Sequence, residues 1–434
     1  MRLRTVGRIR MHRTATLIVV AWALSGCRLA AAAEMQTAKP EAVGMSPQRL
    51  ALVVPAMQKI VDDRKVAGAI TVVARQGKIV LFEAVGQQDI DADKPMNHDT
   101  IMRIYSMTKP ITSVAVMMLA EQGKLSLDDP VAQHLPEFQD LKVFAGVDDG
   151  ELQLDDAQRA PTIRDLLRHT SGLTYGLFGI NEVDQRYRKA NILGRNGTLA
   201  GLVTKLGEIP LLYQPGARFN YSVSTDVLGR VVEVASGQGF DVFLRERIFA
   251  PLGMNDTGFF VPDSKLDRFA TNYGPKLLGG LRVVDAVQQS NYRHEPKFLS
   301  GGGGLVSTAR DYIRFCQMIL NNGELDGQRV LSSESVEAMT KNQLPDEAYP
   351  IRLGGKRPGI GFGLGFSVVV ERTGPPNRSR VGEYGWGGAA STHFWISPAD
   401  DLAVVVLTQL MPFNFQMEHA VKPLVYDAIS EHDG

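Results

Sequence analysis

The chain has 434 residues, 44% of them hydrophobic and 22% charged, with 47 basic against 47 acidic side chains. Those values fit a soluble globular protein, long enough for one large α/β domain with an inserted helical subdomain. Zero net charge and the lack of a basic block argue against a nucleic-acid partner.

The first residues read as an export signal. Arg2, Arg4, Arg8, Arg10 and Arg13 form a basic region without acids, and residues 14–24 are apolar but too few for an independent membrane span. Residues 1–26 are the expected signal peptide, and their removal leaves a mildly acidic chain. Leu24-Ser25-Gly26-Cys27 resembles a bacterial lipobox, with Cys27 as the acylated first residue. Ala31-Ala32-Ala33 competes as a site for ordinary signal peptidase, but the lipobox directly abuts the apolar stretch and is favoured. An N-terminal lipid would attach the protein to a membrane and leave it exported, periplasmic or membrane-anchored. Residues 27–45 then form an N-terminal extension, and residues 46–434 a single domain.

Ser46-Pro47 opens a helix carrying Leu50, Leu52, Val53, Met57, Ile60 and Val61. Residues 69–75 and 78–86 are strands joined at Gln76-Gly77, a hairpin signal. From about 90 to 300 the pattern is mainly helices and Pro/Gly-rich loops, with 142–159 a polar surface insertion. Strands return at 362–371, 380–386, 391–396 and 402–407, before a last helix near 414–429. The expected fold is therefore α/β. Its mostly antiparallel sheet is drawn from about 46–90 and 300–434, flanked by terminal helices, with a helical part over about 91–299. Cys316 reads as a small core residue in a helix. No His-Glu-x-x-His or Cys/His ligand spacing occurs, so neither a metal nor another cofactor is expected.

Chemistry enters at Ser106-Met107-Thr108-Lys109, which runs through Pro110 into the uncharged stretch 111–120, a buried helix ending near Gly123. Pro110 suits a first helical turn, where a missing N–H is no loss. A spacing of three puts the Ser106 hydroxyl and the Lys109 amine on one helical face. The helix start adds unpaired N–H groups and partial positive charge. A nucleophilic serine needs a nearby base and donors for its oxyanion, and this arrangement supplies both. The alternative makes Ser106 an N-cap and Lys109 a solvated first-turn residue.

Two further stretches follow in order. Gln214-Pro215-Gly216-Ala217-Arg218-Phe219-Asn220-Tyr221-Ser222-Val223 is a turn and short extended segment before a helix from near Ser224 to about Ser236. It places Tyr221 at a loop-to-helix junction. Glu383-Tyr384-Gly385-Trp386-Gly387-Gly388-Ala389 is strand-like, and its paired glycines permit close approach of a ligand to the backbone. Singly, Tyr221 is a packed tyrosine and Gly387-Gly388 a bulge. Their order and separation set them apart.

In that order the motifs resemble the serine β-lactamase superfamily, specifically its class C β-lactamase-like branch and the family VIII carboxylesterases. The resemblance covers about residues 41–427, including Lys124-Leu125-Ser126-Leu127-Asp128-Asp129-Pro130, His169-Thr170-Ser171-Gly172-Leu173 and Gly301-Gly302-Gly303-Gly304-Leu305. It implies a β-lactamase/penicillin-binding-protein-like fold. Ser106 would be the acylated nucleophile, Lys109 its proton acceptor and Tyr221 the general base and acid. The backbone N–H groups of Ser106 and Ala389 would form the oxyanion hole, with Trp386, Gly387, Gly388 and Ala389 binding substrate.

Two departures set the expected specificity. Class C β-lactamases carry Tyr-x-Asn and Lys-Thr-Gly, where this chain has Tyr221-Ser222-Val223 and Trp386-Gly387-Gly388. Val223 offers no amide to a β-lactam side chain, and Trp386 no cation to its carboxylate or to the tyrosine. Trp-Gly-Gly resembles the family VIII esterases, so a small neutral carboxylic ester is the expected substrate. A β-lactamase or D-alanyl-D-alanine carboxypeptidase using the same serine is the alternative. No serine lies in Gly-x-Ser-x-Gly, and Gly361-x-Gly363-x-Gly365 lacks dinucleotide spacing. Gly301 to Gly304 reads as a flexible lead-in to the helix after Ser307, and His393 as a packed residue outside the site.

Overall fold

Two runs of β-branched residues far apart in sequence meet at the centre of the molecule. The computed structural model describes residues 1–2, 34–372 and 378–429. The chain divides into Met1–Ala31 and Ala32–Gly434, and the second unit is described below. Cys27, Ala31-Ala32-Ala33 and all of the expected signal peptide except Met1 and Arg2 lie outside the described residues. Among the described residues no helix is long and apolar enough to cross a membrane.

Eight strands form the main sheet: β1 (Gly68–Arg75), β2 (Lys78–Asp89), β3 (Lys94–Pro95), β4 (Ile360–Phe362), β5 (Ser367–Val369), β6 (Tyr384–Gly388), β7 (Thr392–Ser397) and β8 (Leu402–Thr408). Their order is β4-β5-β6-β7-β8-β1-β2-β3. Neighbours run antiparallel throughout. Every residue of β1 and β8 is buried, because both faces of the sheet are covered. Alternation decides which side chain goes where. Ile70, Val72, Val405 and Leu407 enter one core, and Ala69, Val73, Val404 and Val406 the other.

Seven helices matter here: α1 (Val53–Asp62), α2 (Thr108–Glu121), α3 (Ile163–Leu167), α4 (Glu182–Lys189), α5 (Ser224–Ser236), α6 (Ala309–Leu320) and α7 (Gln416–Ala428). Val53, Met57 and Ile60 of α1 join Val421 and Val425 of α7 in one core. The other core holds α2, α5 and α6, and on that side the site is built.

The Gln76-Gly77 hairpin forms as expected, both residues having positive φ (52° and 71°), the backbone of a tight primed turn. Other expectations need correction. The helix opened by Ser46-Pro47 breaks after Leu50, leaving Leu52 51% exposed while Leu50 and Val53 turn inward. The end of the expected extension belongs to the core: Thr37 bridges Ile79, and Val43 and Met45 are buried. The strand expected at 362–371 is instead the hairpin of β4 and β5. Gly365, at φ 99°, turns the chain where a Cβ would lie 2.4 Å from Ser113 Oγ. The 142–159 insertion is a hairpin of Lys142–Asp148 with Glu151–Asp156, and Asn272–Pro275 pairs with Leu281–Asp285. Met102–Arg103 pairs with Val306–Ser307, which carries the glycine run to the start of α2.

Candidate active site

Ser106 sits in a 3-10 turn, Tyr105–Met107, that feeds α2. Tyr105 has φ 41°, a left-handed conformation that costs a non-glycine residue energy and is held by its surroundings. Tyr312 Oη donates to Met107 O at 2.8 Å, and Leu305 N donates to Thr108 Oγ1 at 3.2 Å. The helix N-cap is Met107, without a side-chain bond, so Ser106 does not cap α2. Nor is Lys109 solvated. It is 1% exposed, and its amine reaches Gly302 O (2.6 Å), Tyr175 Oη (2.9 Å) and Ser106 Oγ (3.2 Å).

Tyr221, just before α5, brings its Oη to 2.7 Å from Ser106 Oγ. Its ring is clamped by His169 (4.9 Å between centroids), Tyr175 (5.2 Å) and Trp386 (5.4 Å). The Lys109 amine lies 4.6 Å from the Tyr221 ring centre. His169 is buried, and that burial, with the nearby Lys109 charge second, holds its imidazole well below the ordinary value. It therefore packs as a neutral ring.

The third motif lies on β6. Trp386 Nε1 donates to Tyr221 Oη at 3.4 Å, standing where the related lactamases carry a lysine. Both glycines are also required by the protein's own close packing. A Cβ on Gly388 would fall 2.2 Å from Ile104 O, and one on Gly387 2.9 Å from the Phe413 ring and from Thr392 O. Ala389, half-buried, follows directly, beside the nucleophile turn. Val223 is fully buried in the apolar core, which explains the missing asparagine at that position.

Three participants were not foreseen: Tyr175, Asp226 and Gly302. Asp226 Oδ1 accepts from Gly302 N (3.0 Å) and Ser300 Oγ (2.5 Å), while its Oδ2 is buried without a partner. Burial raises its carboxyl above the ordinary range, against the opposing Lys109 charge. Gly302 cannot be larger: a Cβ would lie 2.5 Å from Asp226 Oδ2 and 2.9 Å from Tyr175 Oη. The glycine run is thus a wall of the site, aiming a carbonyl at Lys109. His393, by contrast, packs as expected: buried, it bonds Glu418 Oε2 at 2.9 Å and Asn414 O at 3.0 Å. Cys316 is buried and free in α6. Among the described residues no cluster of metal-ligating side chains forms.

A serine bonded to both a tyrosine and a lysine, in a turn packed against an antiparallel sheet, defines a serine hydrolase with the architecture of β-lactamases and penicillin-binding proteins. The chain belongs to the Beta-lactamase family, whose sequence profile matches residues 53–422. It is 38% identical over 369 residues to Protein Rv1367c of Mycobacterium tuberculosis, covering 82% of this chain and 89% of that one. It is 31% identical over 362 residues to Esterase EstB of Burkholderia gladioli, covering 80% and 86%. Among solved structures, EstCE1, described as a hydrolase with promiscuous acyltransferase activity, superimposes with a TM-score of 0.75 at 26% identity, covering 87% of this chain and 99% of that one.

Proposed function

We propose that this hydrolase cleaves neutral carboxylic esters through an acyl-enzyme on Ser106. The observation that carries the reading is the Ser106 hydroxyl between Tyr221 Oη (2.7 Å) and Lys109 Nζ (3.2 Å), with the neutral Trp386 indole on that tyrosine. Gly302 O can only accept, so it must receive one Lys109 N–H. A lysine acting as base keeps two N–H bonds, enough for Gly302 O and Tyr175 Oη, and turns its lone pair to the serine.

In this reading Ser106 Oγ attacks the ester carbonyl as its proton passes to the Lys109 and Tyr221 pair. The oxyanion forms against the N–H groups of Ser106 and Ala389. Tyr221 protonates the departing alcohol and then activates the water that frees the acid. An alcohol in place of that water would give transfer instead. Named esterases among the relatives support the substrate class.

Ser106→Ala should abolish ester turnover and covalent labelling by a serine-directed phosphonate, with an unchanged circular dichroism spectrum. Near-native turnover would sink the assignment. Lactam hydrolysis is the second reading, resting on the same serine. A charged contact contributes about 1.5–3 kcal/mol, tenfold to a hundredfold in rate. Without the cation that Trp386 replaces, kcat/KM for a short neutral ester should exceed that for a chromogenic cephalosporin at least about a hundredfold. Comparable efficiencies would put the lactam reading first.

A further inference from the structure

Beside the nucleophile the chain exposes three large apolar side chains in four residues: Leu177 (64% exposed), Phe178 (71%) and Ile180 (90%). Solvent-facing apolar clusters of this kind mark surfaces that take a partner or ligand. The segment is held at both ends. Arg188 of α4 donates to Gly176 O (2.6 Å) and Gly179 O (3.0 Å). The buried Asp184 accepts from Thr174 Oγ1 at 2.6 Å, and its N–H is capped by Asn181 Oδ1 at 2.9 Å. So the three side chains project from a braced loop.

Phe178 fixes where they project. Its ring stands edge-on to Tyr175 at 5.9 Å and tilted over Tyr221 at 6.4 Å. Those tyrosines bond the Lys109 amine and the Ser106 hydroxyl. Trp386, half-buried, closes on Tyr221 from another side, and Phe413, 38% exposed, lies against Gly387. The mouth is therefore apolar, with Tyr221 at its base.

We propose that Leu177, Phe178 and Ile180 form the recognition surface for the alcohol portion of the ester, and that this portion is bulky and apolar, of the aromatic or alicyclic class. The inference rests on the esterase reading and deepens it. In acylation the Ser106 Oγ–carbon bond forms as the carbon–oxygen bond to the alcohol breaks. The electron pair leaves on the alcohol oxygen, which takes its proton from Tyr221 Oη. The atom leaving toward Tyr221 belongs to the alcohol, and Phe178 leans over that tyrosine. The acyl chain, bonded to Ser106, is directed elsewhere by the tetrahedral geometry of the attack.

The test is a pair of ester series on the native protein and Phe178→Ala, an exposed change that leaves the fold's core untouched. One series fixes the acetyl group and enlarges the alcohol from ethanol to 2-naphthol. The other fixes p-nitrophenol and lengthens the acyl chain. The native protein should prefer the naphthyl over the ethyl ester. Phe178→Ala should cut that preference about tenfold, through KM and acylation, and leave the slope of the acyl series unchanged. An unaltered alcohol preference, or a changed slope along the acyl series instead, overturns the proposal. Calorimetric binding of 2-naphthol to Ser106→Ala with and without Phe178→Ala separates the two readings, since it needs no turnover. Phe178-dependent binding without ester turnover in the native protein would fault the esterase reading alone. Phe178-independent binding would fault the recognition surface.

Discussion

Tyr175, half-buried at the edge of the core, gives Lys109 a hydroxyl partner. Burial first, then the neighbouring Tyr221 and Asp226, push its phenol well above the ordinary value, so it stays protonated. Its 2.9 Å bond to the amine makes it a positioning residue for the base. Leaving a buried donor of that amine without its partner costs about 1–3 kcal/mol. Tyr175→Phe should therefore slow phosphonate labelling of Ser106 by about tenfold to a hundredfold with little loss of thermal stability. An unchanged labelling rate would mean that the ring merely fills space. Ser106 and Lys109 were legible because three residues of spacing on a helix force the juxtaposition locally. Tyr175, Asp226 and Gly302 were not. They reach Lys109 from a loop, another helix and a glycine run 193 residues away, and no local pattern encodes that meeting. Only the adjacency of Tyr175 to the matching His169-Thr170-Ser171-Gly172-Leu173 stretch could have pointed to it.

Among the elements, β6 and the nucleophile turn behave as one piece. The backbone of Gly388 rests so close to Ile104 that a methyl group would sit 2.2 Å from its carbonyl oxygen. Backbone would have to move, and Ser106 is two residues from Ile104. A displacement of about 1 Å at a reacting group can cost about a hundredfold in rate. Gly388→Ala should thus lower ester kcat at least about tenfold while the sheet survives, as read by circular dichroism and turnover together. Full activity would show that the strand does not position the serine. The strands themselves were mostly visible in sequence, since β1, β2, β7 and β8 are runs of β-branched and aromatic residues. The hairpin of β4 and β5 hid inside one apolar run. Its Gly365 is read as a turn only once the contact with Ser113 is known. The polar hairpin at 142–159 carries little apolar alternation, being largely exposed on both faces.

At the scale of the whole molecule, stability depends on carboxylates held deep in the protein. Asp165, fully buried, accepts from Thr162 N (3.0 Å), Thr170 Oγ1 (2.8 Å), Arg168 Nη2 (3.0 Å) and Arg159 Nη2 (3.0 Å), tying α3 to the loops on either side. Burial alone would raise this carboxyl. The bonds from Arg159, the Thr162 N–H and Thr170 outweigh it and hold it at about 2, against an ordinary 3.8. A folded value below the unfolded one gives stability that is present above pH 3.8 and lost as pH falls through about 2. Asp165→Asn should cost on the order of 2 kcal/mol at pH 7, a deficit that shrinks between pH 4 and 2, measured by urea midpoints across pH. A deficit independent of pH would show that the charge is not its source. The pairing of Ala69 with Thr408 carries a different consequence. A chain emerging from synthesis holds β1 and β2 early but cannot place β8 beside them until nearly every residue exists. Until then one side of β1 is an open edge of unpaired peptide groups, a template for association with other chains. Such long-range closure is also slow. The serine's surroundings, from Ile104 to Gly388, are thus completed among the last events of folding, and a partial chain has no working site.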